Sequence, residues 1–85
     1  MSPAKGQHVR VRDDTRKHIA GEVRAEMARQ QKKQDELGEV LGLPQQAISP
    51  RVRGERSFRA EELAALAAWL DVPLERFMPT QARVA

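Results

Sequence analysis

The chain has 85 residues, of which 40% are hydrophobic, and it carries a formal net charge of +3 with a pI of about 10.0. This length allows one domain with a small core, and the hydrophobic content is too high for a disordered chain. We expect no membrane span and no secretory signal, since no apolar run is long enough and none follows the basic N-terminal residues. Without cysteine there are no disulfides and no thiolate metal sites. We therefore expect a cytoplasmic protein without a cofactor.

Charge is distributed unevenly along the chain. Residues 1–12 contain three cations and no acid, and residues 45–59 contain four arginines against one glutamate. Residues 60–78 are acidic, with four carboxylates against one arginine. This asymmetry indicates a molecule with one side suited to a polyanion, although solvated charge on ordinary helix faces would give the same pattern.

The N-terminal third divides into two parts. Residues 1–12 lack a helical apolar period and contain a proline and a glycine, so we expect a flexible basic arm. Further along, Ile19, Val23 and Met27 recur at four-residue spacing and form one apolar stripe. This spacing predicts a first helix over about 13–31.

Two short helices are predicted next, over about 34–41 and 45–53. Gly42 and Gly54 follow them at the positions where a left-handed residue ends a helix. Pro44 prevents the first of these helices from continuing and begins the second.

Two more helices are expected over about 60–70 and 73–78, and the last should bury Leu74 and Phe77. The remaining residues form a tail. No segment of the proposed domain alternates as a strand should. The sequence therefore predicts one compact, all-α, five-helix domain over residues 13–78.

The segment Gln34–Arg53 has the spacing of a helix-turn-helix. A small residue, Gly38, lets two helices cross closely, and Gly42 permits the sharp turn between them. Leu43 then seals the corner, and Ile48 anchors the middle of the second helix.

The letters QDELGEVLGLPQQAISPRVRGE resemble the Cro/phage-repressor (XRE-type) family. In that family a Gln-x-x-Leu-Ala-x-x-Leu-Gly opening precedes a Gln-rich recognition helix and a closing glycine. The following FRAEELAALAAWLDVPLERFM resembles the family's next two helices, so the likeness covers about residues 19–78. The RVRGE ending is most similar to versions from actinobacteria and their phages. The resemblance implies a lambda-repressor-like DNA-binding domain.

The resemblance also assigns roles at the start of each helix of the motif. It implies that Gln34 contacts a phosphate and that Gln45 and Gln46 read base edges. The chemistry agrees, since a glutamine amide can bond N6 and N7 of adenine together in the major groove. Polar surface at a helix start is the alternative for both glutamines. Ser49 is expected to touch a phosphate or a base, or to make a local backbone bond.

Two positions depart from the family pattern. Pro50 replaces a polar or basic base-reading residue, so either the helix kinks there, or Ser49 and Pro50 restart it, or the ring contacts a thymine methyl. Arg51 replaces an apolar core residue, with Val52 taking the core role. We expect Arg51 and Arg53 to face DNA, at phosphates or at guanine.

Other basic side chains are candidates for the sugar–phosphate backbone, with plain solvation as the alternative. Those in and near the motif are Lys32, Lys33, Arg56 and Arg59. Those of the arm, which could enter a minor groove or follow phosphates, are Lys5, Arg10 and Arg12. Trp69 is expected at the edge of the core or in a dimer interface.

The leading hypothesis is a sequence-specific transcriptional regulator, repressor-like and derived from a phage or prophage. It would act with the nucleoid on a double-stranded DNA operator, as a weak or DNA-dependent homodimer, without a membrane or small-molecule partner. The alternatives are an antitoxin with the same fold and a protein–protein module that has lost DNA binding. An enzyme is the weakest option, because His8 and His18 have no accompanying catalytic or metal-binding pattern.

Overall fold

The computed structural model describes residues 2–79, with side chains from Asp13 onward. Within this range the chain forms only helices, and the elements in chain order are α1 (Ser2–Arg29), α2 (Gln34–Leu41), α3 (Gln45–Arg53), α4 (Ala60–Leu70) and a 3-10 helix (Leu74–Phe77). The all-α prediction is therefore confirmed for the described residues. The expectation of five α-helices is corrected to four and a 3-10 helix, since the four residues Leu74–Phe77 are too few for a regular α-helical ladder.

The first helix begins much earlier than the sequence pattern predicts. Its backbone is helical from Ser2, not from Asp13. Pro3 does not interrupt it, because a proline in the first helical turn has no intrahelical N–H to lose, and Gly6 costs only about 1 kcal/mol. The predicted DNA contacts of Lys5, Arg10 and Arg12 lie outside the side chains that the structure describes, as does the tail over 80–85.

The boundaries of α2, α3 and α4 agree with the predicted ones. Gly42 and Gly54 end α2 and α3 in the left-handed conformation, with φ of 67° and 82°. Asp71 ends α4 in the same conformation, with φ of 58°. Pro44 is the N-cap of α3, with extended backbone at ψ 163°. These stops follow from local backbone chemistry, and they bring the helices together through short turns.

The core lies where all the elements meet. Its buried apolar side chains come from α1, α2, α3, α4 and the 3-10 helix, and they are Val23, Met27, Leu37, Ile48, Val52, Leu63, Leu66, Ala67, Leu70 and Phe77. Phe58 packs against this core from the α3–α4 loop. The expectation that Leu74 is buried is wrong: it lies at the outer end of the 3-10 helix and is 41% exposed, whereas Phe77 at the inner end is fully buried.

Two arginines of α1 hold the C-terminal end of α3. Arg24 Nη1 donates to the carbonyl of Val52 at 2.7 Å, and Arg16 Nε donates to the carbonyl of Gly54 at 2.8 Å. The last carbonyls of a helix have no intrahelical donors and carry the negative end of its dipole, so cations are favoured there. The pattern of apolar residues gave no sign of these bonds, which fix α3 against α1.

A buried carboxylate connects α1 to the end of the domain. Glu26 is 6% exposed and accepts hydrogen bonds from Gln30 Nε2 at 2.9 Å and Arg76 Nη1 at 3.2 Å. It also forms an ion pair with Arg29. Gln30 Nε2 donates in addition to the carbonyl of Leu70 at 2.7 Å. The hydrogen bond from Gln30 and the charges of Arg29 and Arg76 hold the pKa of Glu26 below its ordinary value, although burial alone would raise it.

Candidate nucleic-acid interface

The turn between α2 and α3 depends on a close approach at Gly38. A Cβ atom added there would lie 2.9 Å from the carbonyl oxygen of Leu43 and 3.7 Å from Cγ1 of Ile48. The N–H of Leu43 donates to the carbonyl of Gly38 at 3.0 Å and closes the turn. The predicted need for a small residue, a turn glycine, a corner residue and an anchor is confirmed in this geometry, with Ile48 fully buried.

The first turns of α2 and α3 meet in a group of polar side chains, which we call the glutamine cluster: Gln34, Gln45 and Ser49. Gln45 Nε2 donates to Gln34 Oε1 at 2.8 Å and to Ser49 Oγ at 3.0 Å. Ser49 Oγ donates weakly to Gln34 Oε1 at 3.4 Å. Both glutamines are exposed and the serine is half-buried. The structure thus brings three predicted site residues into one hydrogen-bonded group on the surface.

The middle of α3 is continuous through Pro50. The helix runs from Gln45 to Arg53 without a break, so the predicted restart at Ser49 does not occur. Proline has no N–H, so Pro50 cannot bond the carbonyl of Gln46 one turn earlier, and the ladder of α3 is weakened at that point. Gln46 itself is exposed beside the glutamine cluster, and the Pro50 ring is half-buried.

Arg51 does not lie on the exposed side of α3, which contradicts the expectation that it faces DNA. The residue is 8% exposed. Its Nε and Nη2 donate to the two carboxylate oxygens of Glu62 on α4, at 3.0 and 3.4 Å, and its Nη1 donates to the carbonyl of Ala47 at 2.8 Å. Position 51 is therefore a core position, as it is in the family pattern, but an arginine with a buried partner fills it here in place of an apolar residue.

Glu62 was not among the residues predicted for the site. Glu62 precedes Leu66 and Leu70 at four-residue spacing on the buried stripe of α4, which is the signal that could have identified it. Burial by itself raises the pKa of this carboxyl. The hydrogen bond from the N–H of Arg59 and the guanidinium of Arg51 outweigh burial, and they hold the pKa of Glu62 below its ordinary value.

The remaining predicted phosphate contacts are exposed cations around α3. Arg53 makes a two-armed ion pair with Glu55, with both N–O distances at 3.0 Å. These bonds raise the pKa of Arg53 and lower the pKa of Glu55. Arg56 is exposed on the loop, and Arg59 Nε lies 3.7 Å from a carboxylate oxygen of Glu61.

The two lysines before α2 differ in exposure, since Lys32 is half-buried and Lys33 is not. Lys33 is exposed at the N-cap of α2, next to Gln34, and its backbone N–H donates to Glu36 Oε1 at 2.8 Å. The ammonium of Lys32 lies 5.2 Å from the ring centre of Trp69, a distance suited to a cation–π contact. Trp69 is half-buried and packs against the core, which favours its interpretation as a core-edge residue.

The described residues hold no group of three or more His, Cys, Asp or Glu side chains with the arrangement of a metal site. In the same part of the chain, no helix combines the length and apolar character needed to cross a bilayer.

Comparison with known proteins agrees with this geometry. The helix-turn-helix family model HTH_3 matches residues 23–77, which is more than half of the chain. A similar fold occurs in a crystal structure described as that of a hypothetical transcription factor, NHTF, from Neisseria. Its TM-score is 0.68, its sequence is 24% identical, and the match covers 82% of each chain. Comparison with curated proteins gave no match. The chain therefore belongs to the helix-turn-helix family, in its XRE-type class of DNA-binding regulators.

Proposed function

We propose that the chain is a sequence-specific regulator that places α3 in the major groove of a double-stranded DNA operator. The observation that carries the proposal is the glutamine cluster, in which the exposed Gln45 at the start of the second helix of a helix-turn-helix is hydrogen-bonded to Gln34 and Ser49. A helix-turn-helix contacts base edges through the N-terminal residues of its second helix. The cluster stands at that position.

The hydrogen bonds of the cluster indicate how Gln45 would read a base. Its Nε2 group donates to both Gln34 and Ser49, which fixes the amide plane and leaves Oε1 to accept a bond. In the major groove the donors available to it are N6 of adenine and N4 of cytosine. To bond N7 of adenine as well, Gln45 must release Ser49, which is the weaker of its two partners by distance. Gln46 offers a second exposed amide one residue further along α3.

Gln34 connects the base-reading amide of Gln45 to the sugar–phosphate backbone of the DNA. Its Oε1 is occupied by Gln45, so its own Nε2 group is the part that can donate to a phosphate. Four exposed cations, one before α2 and three at or after the end of α3, supply the electrostatic part of binding: Lys33, Arg53, Arg56 and Arg59. Pro50 contributes an apolar surface that suits a thymine methyl group.

Repression is the proposed mode of regulation, because a protein bound at an operator excludes polymerase from it. We also propose a repressor of the Cro type, of phage or prophage origin, acting as a weak or DNA-dependent homodimer. The likeness of the motif to that family supports these finer assignments. Proteins of the class are regulators and typically not enzymes.

Selection from a library of random duplexes, followed by fluorescence anisotropy, tests the proposal. The selected duplex should be bound about a thousandfold more tightly than a scrambled one. Four phosphate-contacting cations predict a slope of log K against log salt of about −3 to −4 per chain, and Arg56→Gln should reduce its magnitude by about one. Arg76→Gln, on the 3-10 helix, serves as the control and should leave the slope unchanged. Equal binding to all duplexes would contradict sequence reading.

A further inference from the structure

The pair formed by Arg51 and Glu62 joins α3, which the proposed interface uses, to α4. Both residues are buried, at 8% and 9% exposure, and they lie on α3 and α4 respectively. The guanidinium engages both oxygens of the carboxylate, at 3.0 and 3.4 Å. Such a two-armed contact fixes orientation as well as distance.

The same carboxylate also fixes the loop that carries the phosphate-binding candidates. Glu62 Oε1 accepts the backbone N–H of Arg59 at 2.9 Å, at the point where residues 54–59 enter α4. One carboxylate therefore positions the C-terminal half of α3 through Arg51 and the end of the loop through Arg59. The glutamine cluster lies on the opposite, exposed side of α3.

Arg51 also makes a hydrogen bond within α3, beside the carbonyl that Pro50 leaves without its donor. Pro50 leaves the carbonyl of Gln46 without its usual intrahelical donor. The next carbonyl, that of Ala47, accepts an additional bond from Arg51 Nη1 at 2.8 Å. Through its bonds to Glu62, the same guanidinium ties this part of α3 to α4.

Stability alone does not account for this arrangement. Replacing a buried ion pair by apolar residues of similar volume is often neutral or stabilising, because burying two charges is costly. The family has an apolar residue at this core position. This chain instead has Arg51, which needs the carboxylate of Glu62 eleven residues away. The advantage of the ion pair over an apolar contact is then geometric. A hydrogen-bonded pair allows one orientation of α3, whereas an apolar contact allows several.

We propose that Arg51 and Glu62 are positioning residues for DNA reading, and that they set the orientation of the glutamine cluster relative to Arg56 and Arg59 on the loop. This inference rests on the proposed function of α3. Without the pair, the domain should still fold and bind DNA, but it should discriminate less well between sequences.

The test compares the wild-type chain with a double variant that carries both Arg51→Met and Glu62→Met. Both proteins are titrated against the duplex that the wild type selects and against a scrambled duplex, and thermal unfolding is followed by circular dichroism. We expect the double variant to unfold at the same temperature as wild type or higher. Its discrimination between duplexes should fall by about tenfold, the scale of one lost base-pair preference, with the salt slope unchanged.

A second variant and a control separate positioning from folding. Glu62→Gln keeps an oxygen for the N–H of Arg59 and removes the charge facing Arg51, so it should show a smaller loss of discrimination than the double variant. Arg76→Met removes an ion pair between the 3-10 helix and the buried Glu26 of α1, and it should leave discrimination unchanged. If the double variant does not fold, Glu62→Gln alone decides the question.

Two results would overturn the inference, and they have different meanings. Wild-type discrimination in the folded double variant, or in Glu62→Gln if that variant must decide, shows that the pair does not position α3, while the proposed function stands. Equal binding of the wild type itself to selected and scrambled duplexes removes the proposed function, and the positioning role with it.

Discussion

Replacing Gly54 with alanine tests how closely the end of α3 is held against α1. Gly54 has φ of 82°, and its N–H donates to the carbonyl of Arg51 at 3.2 Å. An added Cβ would lie 3.4 Å from Cβ of Ala20 and 3.4 Å from Cα of Lys17. The substitution therefore meets two separate obstacles, one in the backbone and one in packing.

The size of each effect can be worked out from this geometry. A side chain in the left-handed region costs about 1–2 kcal/mol, part of which alanine recovers by restricting the unfolded chain. Crowding against the α1 backbone adds about 1 kcal/mol, since Lys17 Cα cannot move alone. We expect Gly54→Ala to lower the free energy of unfolding by about 2 kcal/mol. For a domain of this size that lowers Tm by about 8–16 °C.

Two other glycines serve as matched controls. Gly42 has φ of 67°, but an added Cβ there has nothing within 4 Å, so Gly42→Ala measures the backbone effect alone, about 1 kcal/mol. Gly21 lies within α1 without a positive φ, and its Cβ would meet only the flexible end of Arg24 at 3.6 Å. Gly21→Ala should therefore stabilise the protein by about 0.5–1 kcal/mol.

Thermal and urea unfolding followed by circular dichroism give the three differences. From most to least stable, we expect the order Gly21→Ala, wild type, Gly42→Ala, Gly54→Ala. A Gly54→Ala variant as stable as Gly42→Ala would refute the claimed contact with α1, and one as stable as wild type would refute the backbone argument as well.

Three further predictions concern the ionic contacts of α3 and α4. Arg51→Met alone should destabilise the protein by about 3 kcal/mol in urea unfolding, because it leaves the buried Glu62 carboxylate without its cation; a loss below about 1 kcal/mol would contradict the burial of the pair. Because the pKa of Glu62 is lowered from 4.5, its contribution to stability is present above about pH 4.5 and is lost as the pH falls below that value, so wild type and Glu62→Gln should differ at pH 7 and converge in acid. A constant difference across pH would refute the assignment. Arg24→Met removes the donor to the Val52 carbonyl and should lower the free energy of unfolding by about 1 kcal/mol. Arg29→Met, also on α1, is the control and should not affect α3. If both variants change hydrogen exchange in α3 equally, Arg24 does not anchor that helix.

Helix ends inside the domain were predictable because each depends on neighbouring residues. Gly42, Pro44 and Gly54 stop or start helices through their own backbone geometry, and the structure places them as expected. The start of α1 was not predictable in this way. Pro3 is a helix breaker in the interior but not in the first turn, so the same residue type allows either outcome.

Side-chain placement across elements was less predictable than the helices. Arg51 was assigned to the DNA side by its charge, and the structure places it in the core because Glu62 lies opposite on α4. The bonds from Arg16 and Arg24 to the end of α3 join residues 38 and 28 positions apart. Contacts of this kind depend on how helices cross, and a single sequence contains no local signal for them. The glutamine cluster was predicted residue by residue, but its hydrogen bonds were not.

The exposed amides at the start of α3 are the groups that we propose read bases. The direct measurement is a titration of wild type and the double variant Gln45→Ala with Gln46→Ala against the selected duplex and a scrambled one, with Glu75→Gln on the 3-10 helix as the control. We predict that the double variant loses about 100-fold in affinity for the selected duplex and little for the scrambled one, at the scale of two lost base contacts. The control should behave as wild type. If the double variant instead keeps the wild-type preference, α3 does not read DNA through these glutamines and the central claim is wrong.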